Sequence, residues 1–408
     1  MSSLVILMFK LFLKFIKNPL TGPFSISIFL LGMPYLETFF LNISKSFLFN
    51  YILLFLLNVI LVELIFRISY KIYNGTNYLF IKSIPFEKLY VEPHPYLPYT
   101  YKKNFNSAPS ELYNYPLHKN FFSANLKTNN FGFYNGPNGD RDIQIPKPQN
   151  LFRISCLGGS TTANYISDGQ KNFSYPLELE TILKKKKENI EVNNCGTGGY
   201  NSADLLVRFL LQTIETKPNL VVIYHAYNDI RSYLTENFKT DYSHSRIGLG
   251  ENYWKFKLNS FIPNIPLKFI NYLKNNWVPS NVRYSLLEII SKGKINLNID
   301  YTKGLKTYER NIQNLINVCV KNNIDVVLST YCFYLHKKAE KSNLNKIYET
   351  IVLKENEIIK NLAKKNNLKI VDCNSKIPKD NEFFVDTVHL TPKGMKFIAN
   401  EIGKVINP

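Results

Sequence analysis

A chain of 408 residues, 45% hydrophobic and 20% charged, has ample material for a buried core, which excludes wholesale disorder, collagen-like repeats and a body built mainly of membrane helices. The formal charge of +19 raises nucleic acid as a partner, but only eight of the 50 basic residues are Arg and the densest run, Lys184 to Lys187, falls in a surface helix. The excess therefore reads as a solvated lysine-rich surface, and no nucleic-acid partner is expected.

Residues 1–70 read as a membrane anchor with one or two transmembrane helices. Phe47 to Val62 is an apolar run broken only by Asn50 and Asn58, and with its shoulders it approaches the ~20 residues that cross a bilayer. Phe24 to Ile43 is a second candidate, weakened by Pro34 and Glu37, and Ser2 to Ile16 suits an interfacial position. A buried hydrophobic hairpin is the competing reading. Lys10, Lys14 and Lys17 on one flank and Arg67, Lys71, Lys82 and Lys88 on the other leave the side of the membrane open.

Residues 71–150, rich in Pro, Tyr, Asn and Gly, predict loops with short strands, a connecting or accessory region. From there to residue 408 the pattern changes. Apolar runs at Arg153–Leu157, Ile190–Asn194, Leu220–Tyr224, Ile324–Ser329 and Leu368–Asp372 alternate with helical periodicity at Tyr175–Lys186, Ser202–Glu215, Thr302–Lys321, Ser342–Lys365 and Pro392–Ile406. Such alternation predicts an α/β fold with a parallel five-stranded sheet. Thr391 before Pro392 is a helix-start signal, and Phe238 to Leu297 breaks the alternation as an expected helical insertion. The five cysteines, Cys156, Cys195, Cys319, Cys332 and Cys373, are too scattered for a disulfide framework and lack the spacing of a zinc site. They are expected as core thiols, and no metal or cofactor is implied.

Reactive groups in an open parallel sheet gather in loops at the carboxyl ends of strands. The first such loop, Gly158-Gly159-Ser160-Thr161-Thr162, combines a tight turn with a hydroxyl at a helix start, and suits a nucleophile, a phosphate-binding turn or a plain connection equally. The second is Asn194-Cys195-Gly196-Thr197-Gly198-Gly199-Tyr200 and the third Tyr224-His225-Ala226-Tyr227-Asn228-Asp229. A glycine N–H and an asparagine amide are uncharged donors suited to a developing oxyanion, and both also occur in structural turns. Near the C-terminus Asp386-Thr387-Val388-His389 sets a carboxylate one turn before an imidazole.

Taken together, these blocks make the stretch from Arg153 to Pro408 resemble the SGNH hydrolases, the GDSL-like esterase and acylhydrolase superfamily, and Asn130-Phe131-Gly132-Phe133 is similar to the lead-in of members with an N-terminal extension. The resemblance implies a flavodoxin-like three-layer α/β/α fold. It implies Ser160 as nucleophile, Asp386 and His389 as its triad partners, and an oxyanion hole made by the N–H groups of Ser160 and Gly199 and the amide of Asn228, with Gly198 as fallback donor. Two positions depart from the family pattern: Gly159 stands where many members have Asp, and Ala226 takes the glycine place of GxND. His225 is a candidate for substrate contact or for a hydrogen-bonded strand-end histidine, and Asp229 for orienting the Asn228 loop or capping the next helix.

The expected function is a membrane-anchored serine esterase without cofactor, acting on a small-molecule, glycan or lipid ester through an acyl-enzyme. The alternatives are an O-acyltransferase using the same site and a catalytically silent envelope or glycan-binding protein.

Overall fold

The computed structural model describes Leu57, Asn58 and Leu61 together with residues 90–107, 126–163, 166–167, 172–248, 290–336 and 342–408. The chain divides into two compact units, Met1–Pro85 with Trp254–Asn281 and Phe86–Tyr253 with Val282–Pro408. The elements that carry the site belong to the second. Apart from Leu57, Asn58 and Leu61, which are helical, the expected membrane segments lie outside the described residues. Among the described residues no helix is long and apolar enough to cross a membrane.

Five parallel strands form the central sheet: β1 (Phe152–Gly158), β2 (Ile190–Asn194), β3 (Leu220–Tyr224), β4 (Asp325–Ser329) and β5 (Lys369–Val371). Their spatial order is β5-β4-β3-β1-β2, the flavodoxin-like arrangement. β3 reads Leu-Val-Val-Ile-Tyr with every side chain buried, as expected for a strand covered on both faces. Between the strands run α1 (Tyr175–Lys184), α2 (Ser202–Leu211), α3 (Thr302–Lys321) and α4 (Asn343–Lys365), and α5 (Pro392–Val405) follows β5.

The order of strands reverses between β1 and β3. Right-handed crossovers running in opposite directions across a sheet deposit their helices on opposite faces, so α1 packs with α5 while α3 packs against both α2 and α4. Local chemistry sets the helix starts. Thr391 accepts from the Gly394 N–H ahead of Pro392 in α5, and Asn201 forms a reciprocal capping box with Asp204 in α2.

The expected elements differ from the observed ones at their ends. The helix predicted over Ser202–Glu215 stops at Leu211 and is followed by a separate 3-10 turn, Thr213–Thr216. The break falls at Gln212, whose φ of -137° leaves the helical region, and Lys217, with a left-handed φ of 49°, ends the 3-10 turn ahead of β3. The region before the sheet forms two-residue antiparallel pairs, Val91–Glu92 with Thr100–Tyr101 and Asn106–Ser107 with Leu126–Lys127. Of the expected helical insertion only the ends are described, and they make isolated antiparallel bridges, Thr235 to Ile295 and Arg246 to Ser291.

Candidate active site

β1 ends in two glycines because nothing larger fits the first of them. A Cβ on Gly158 would stand 2.0 Å from Thr162 Oγ1 and 2.4 Å from the Tyr224 carbonyl oxygen. The chain then turns directly into the short helical segment Ser160–Ala163, leaving Ser160 half-buried at the strand reversal, where clefts of such sheets form. His389 reaches it from the loop before α5, with Nε2 2.9 Å from Ser160 Oγ. On the far side of the ring, Nδ1 lies 2.7 Å from Asp386 Oδ2. An Nδ1 facing a carboxylate is the protonated nitrogen, so Nε2 is left with a lone pair toward the hydroxyl.

Asp386 is fixed by its own loop. Its Oδ1 accepts from the Val388 and His389 N–H groups at 2.9 and 2.8 Å. Burial alone would raise its pKa, but the His389 ring and these two amides outweigh burial and hold the carboxyl well below the usual carboxylate range. The loop closes through the Val385 N–H to the His389 carbonyl, 2.8 Å, and is tied to the chain after β4 by the Tyr334 N–H to the Thr387 carbonyl, 2.9 Å.

The donor side is built from the loops after β2 and β3. Gly199 needs its glycine, since its φ is +71°. Asn228 donates one amide hydrogen to the Tyr200 carbonyl at 2.8 Å and keeps a second for another acceptor. A Cβ on Gly159 would meet that Asn228 Nδ2 at 2.5 Å, so Gly159 and the donor share the space that an Asp at this position would claim. Ala226 has a similarly local reason. The positive φ of this loop, 69°, falls on Tyr227, and the Asn228 N–H closes a γ-turn to the Ala226 carbonyl at 2.8 Å; the glycine place of GxND therefore does not require glycine here.

Three further candidates take definite places. The Gly198 N–H, the fallback donor, is already committed to the Tyr101 hydroxyl at 3.0 Å. His225 is fully buried, with Nε2 2.8 Å from Asp229 Oδ2 and no exposed side-chain surface to offer a substrate. Asp229 stands at the N-cap position but makes no side-chain cap. It accepts instead from the Ser202 N–H at 2.9 Å, the Ser202 hydroxyl at 2.5 Å and the Tyr242 hydroxyl at 2.6 Å. Those donors lock the Asn228 loop to the start of α2, which is the orienting role.

Sequence reasoning missed Tyr99, Arg246 and Glu355. Tyr99 donates its hydroxyl hydrogen to the Gly198 carbonyl, and Arg246 donates to the Gly199 carbonyl at 2.9 Å while pairing with Asp204. Glu355 is fully buried in α4, accepting from the Tyr227 N–H at 3.2 Å and the Tyr233 hydroxyl at 2.9 Å. Burial, with the nearby Asp229 charge adding to it, pushes its pKa well above the ordinary value. Only the Tyr99-Thr100-Tyr101 alternation carried a signal, since residues two apart in a strand share a face. All five cysteines are buried, and burial pushes Cys195 and Cys332 up to about 12, so no thiolate competes with Ser160 as a nucleophile.

A family model described as the GDSL-like Lipase/Acylhydrolase family matches residues 156–397. No curated protein sequence matches the chain. Among solved structures, a GDSL-like lipase from Bacteroides thetaiotaomicron is similar at 15% identity, covering 64% of this chain and 90% of that one, with a TM-score of 0.37. An acetylxylan esterase from Geobacillus stearothermophilus is similar at 16% identity, covering 62% of this chain and 94% of that one, also with a TM-score of 0.37.

Proposed function

Because the chain belongs to the GDSL-like lipase/acylhydrolase family and is an ester-bond hydrolase, we propose that it is a membrane-anchored serine esterase in which Ser160, His389 and Asp386 act as the triad and the Ser160 N–H, the Gly199 N–H and the Asn228 amide form the oxyanion hole. The observation that carries this reading is the unbroken chain from Ser160 Oγ to His389 Nε2 at 2.9 Å and from His389 Nδ1 to Asp386 at 2.7 Å.

In the proposed sequence His389 Nε2 takes the Ser160 hydroxyl proton as Oγ bonds to the ester carbonyl carbon. The resulting tetrahedral oxyanion is stabilised by uncharged donors that need no reorganisation. Collapse expels the alcohol, which receives the proton from His389. Water then repeats the cycle on the acyl-enzyme and releases the acid, returning the proton to Ser160 through the same imidazole. Asp386, ionised throughout, holds the ring and offsets the imidazolium charge that forms twice per turnover. The apolar run Phe47–Val62 and its neighbours support the anchor, and a glycan or lipid ester suits a site tethered near a bilayer.

The test uses the full chain in detergent. It should hydrolyse an aryl acetate and take up a fluorophosphonate covalently at Ser160, and Ser160→Ala should lose both while keeping its melting temperature. Turnover retained by folded Ser160→Ala would remove Ser160 from the chemistry.

A further inference from the structure

We propose that Tyr99, contributed by the segment ahead of the family-matched region, is a positioning residue of the oxyanion hole, fixing the Gly198–Gly199 peptide so that the Gly199 N–H faces the reacting carbonyl. The inference rests on the esterase reading above.

Three successive carbonyls in the loop after β2 each accept a hydrogen bond from a side chain of a different element. Gly198 O accepts from the Tyr99 hydroxyl, Gly199 O from Arg246 Nη2 at 2.9 Å, and Tyr200 O from Asn228 Nδ2 at 2.8 Å. The carbonyl of Gly198 and the N–H of Gly199 belong to one planar amide and point opposite ways, so a donor that pins the oxygen also sets the direction of the N–H. Rotating that plane would break the Tyr99 bond. The same donor draws electron density toward the carbonyl oxygen and makes the N–H opposite a better donor.

Tyr99 is itself held rigidly. It is fully buried, its ring meets Tyr200 edge-on at 5.6 Å between centroids, and the Tyr200 hydroxyl donates to the Tyr99 carbonyl. The peptide lies beside the nucleophile, since a Cβ on Gly198 would come within 4.0 Å of Ser160 Cβ. Tyr99 stands well before residue 156, where the family match begins. The accessory segment is thereby part of the active site rather than a linker to it.

The test compares Tyr99→Phe with the parent in full-length protein in detergent, counting active sites by stoichiometric fluorophosphonate uptake. kcat per titrated site for an aryl acetate should fall about tenfold with KM within twofold, as expected for a partial loss of one oxyanion donor. The inhibition constant of methylboronic acid, which forms a tetrahedral anion on the serine, should rise by a similar factor. A residue that merely supports the fold would lower the number of titratable sites and leave kcat per site and boronate affinity alone. Should Tyr99→Phe fail to fold, Tyr99→His, whose ring is too short to reach Gly198, is read in the same way. Parent-like kcat per site and boronate affinity in either folded variant overturn the proposal while leaving the esterase reading intact. A parent that neither labels at Ser160 nor cleaves the ester overturns both.

Discussion

Gly159→Ala separates packing from catalysis at a single methyl group. The added Cβ would lie 2.5 Å from Asn228 Nδ2, 3.6 Å from Asn228 Cγ and 3.8 Å from the Tyr200 carbonyl oxygen, so only the amide nitrogen is in conflict. To reach an ordinary contact distance that nitrogen must retreat by about 1 Å, which breaks its 2.8 Å bond to Tyr200 and displaces it from its place in the proposed oxyanion hole. For stability the terms nearly cancel: a lost hydrogen bond is worth about 1 kcal/mol, and replacing glycine returns about 0.4–1 kcal/mol through the unfolded chain. For catalysis they do not, because misplacing a positioned group by about 1 Å costs on the order of 10²-fold in rate. Gly159→Ala should therefore keep its melting temperature within a few degrees and lose about 100-fold in kcat, a fall of the size that follows removal of an oxyanion donor. Gly159→Asp should lose at least as much, although Asp is common there in the family. Stopped-flow hydrolysis of an aryl acetate, normalised to titrated sites, reads the effect. A kcat within threefold of the parent would show that Asn228 does not work from the position it occupies beside Gly159.

Asp386→Asn should keep the geometry but offer the wrong partner to His389 Nδ1, lowering kcat by on the order of 10⁴-fold; near-parent turnover in the folded variant would remove Asp386 from the relay. Glu355→Gln tests the buried glutamate through the pH dependence of stability. A carboxyl whose folded pKa is raised binds a proton that the unfolded chain has already released, so the parent loses stability as pH climbs from the ordinary glutamate value toward the raised one, by about 1 kcal/mol per pH unit. The variant has no such group, and its melting temperature should gain on the parent's as pH rises above 5; parallel melting curves would mean that Glu355 ionises normally.

Strand identities were legible because β3 and β4 hold continuous apolar runs, β1 and β2 interleave apolar with polar residues, and all four alternate with amphipathic helices, patterns read within a window of about a dozen residues. Helix ends were less so. The stop at Leu211 coincides with a non-helical backbone at Gln212 that no residue type announces. In the site, Ser160, Asn228, Asp386 and His389 could be named because each sits at a strand end or helix start within a short recognisable block. Tyr99 and Arg246 could not, since they reach Gly198 and Gly199 across 99 and 47 positions of chain. Of the two readings open for Asp229, orienting the loop prevails over capping the helix, because Ser202, Tyr242 and His225 supply its partners from elsewhere in the fold.

The conformation of Tyr227 explains why so much buried polarity stands behind the Asn228 loop. A positive φ on a non-glycine residue costs on the order of 1–3 kcal/mol and persists only where the surroundings over-determine it. Here three constraints do so. The Tyr227 N–H is captured by buried Glu355, the Asn228 N–H by the Ala226 carbonyl, and the next residue, Asp229, by the hydroxyls of Ser202 and Tyr242. Relaxing Tyr227 would strand the Glu355 oxygen in a site that water does not reach, and would swing the Asn228 amide away from Gly159. The strain is thus held in place by α4 through Glu355 and by Ser202 and Tyr242 through Asp229, so the direction of the Asn228 side chain is set from behind the loop as well as within it.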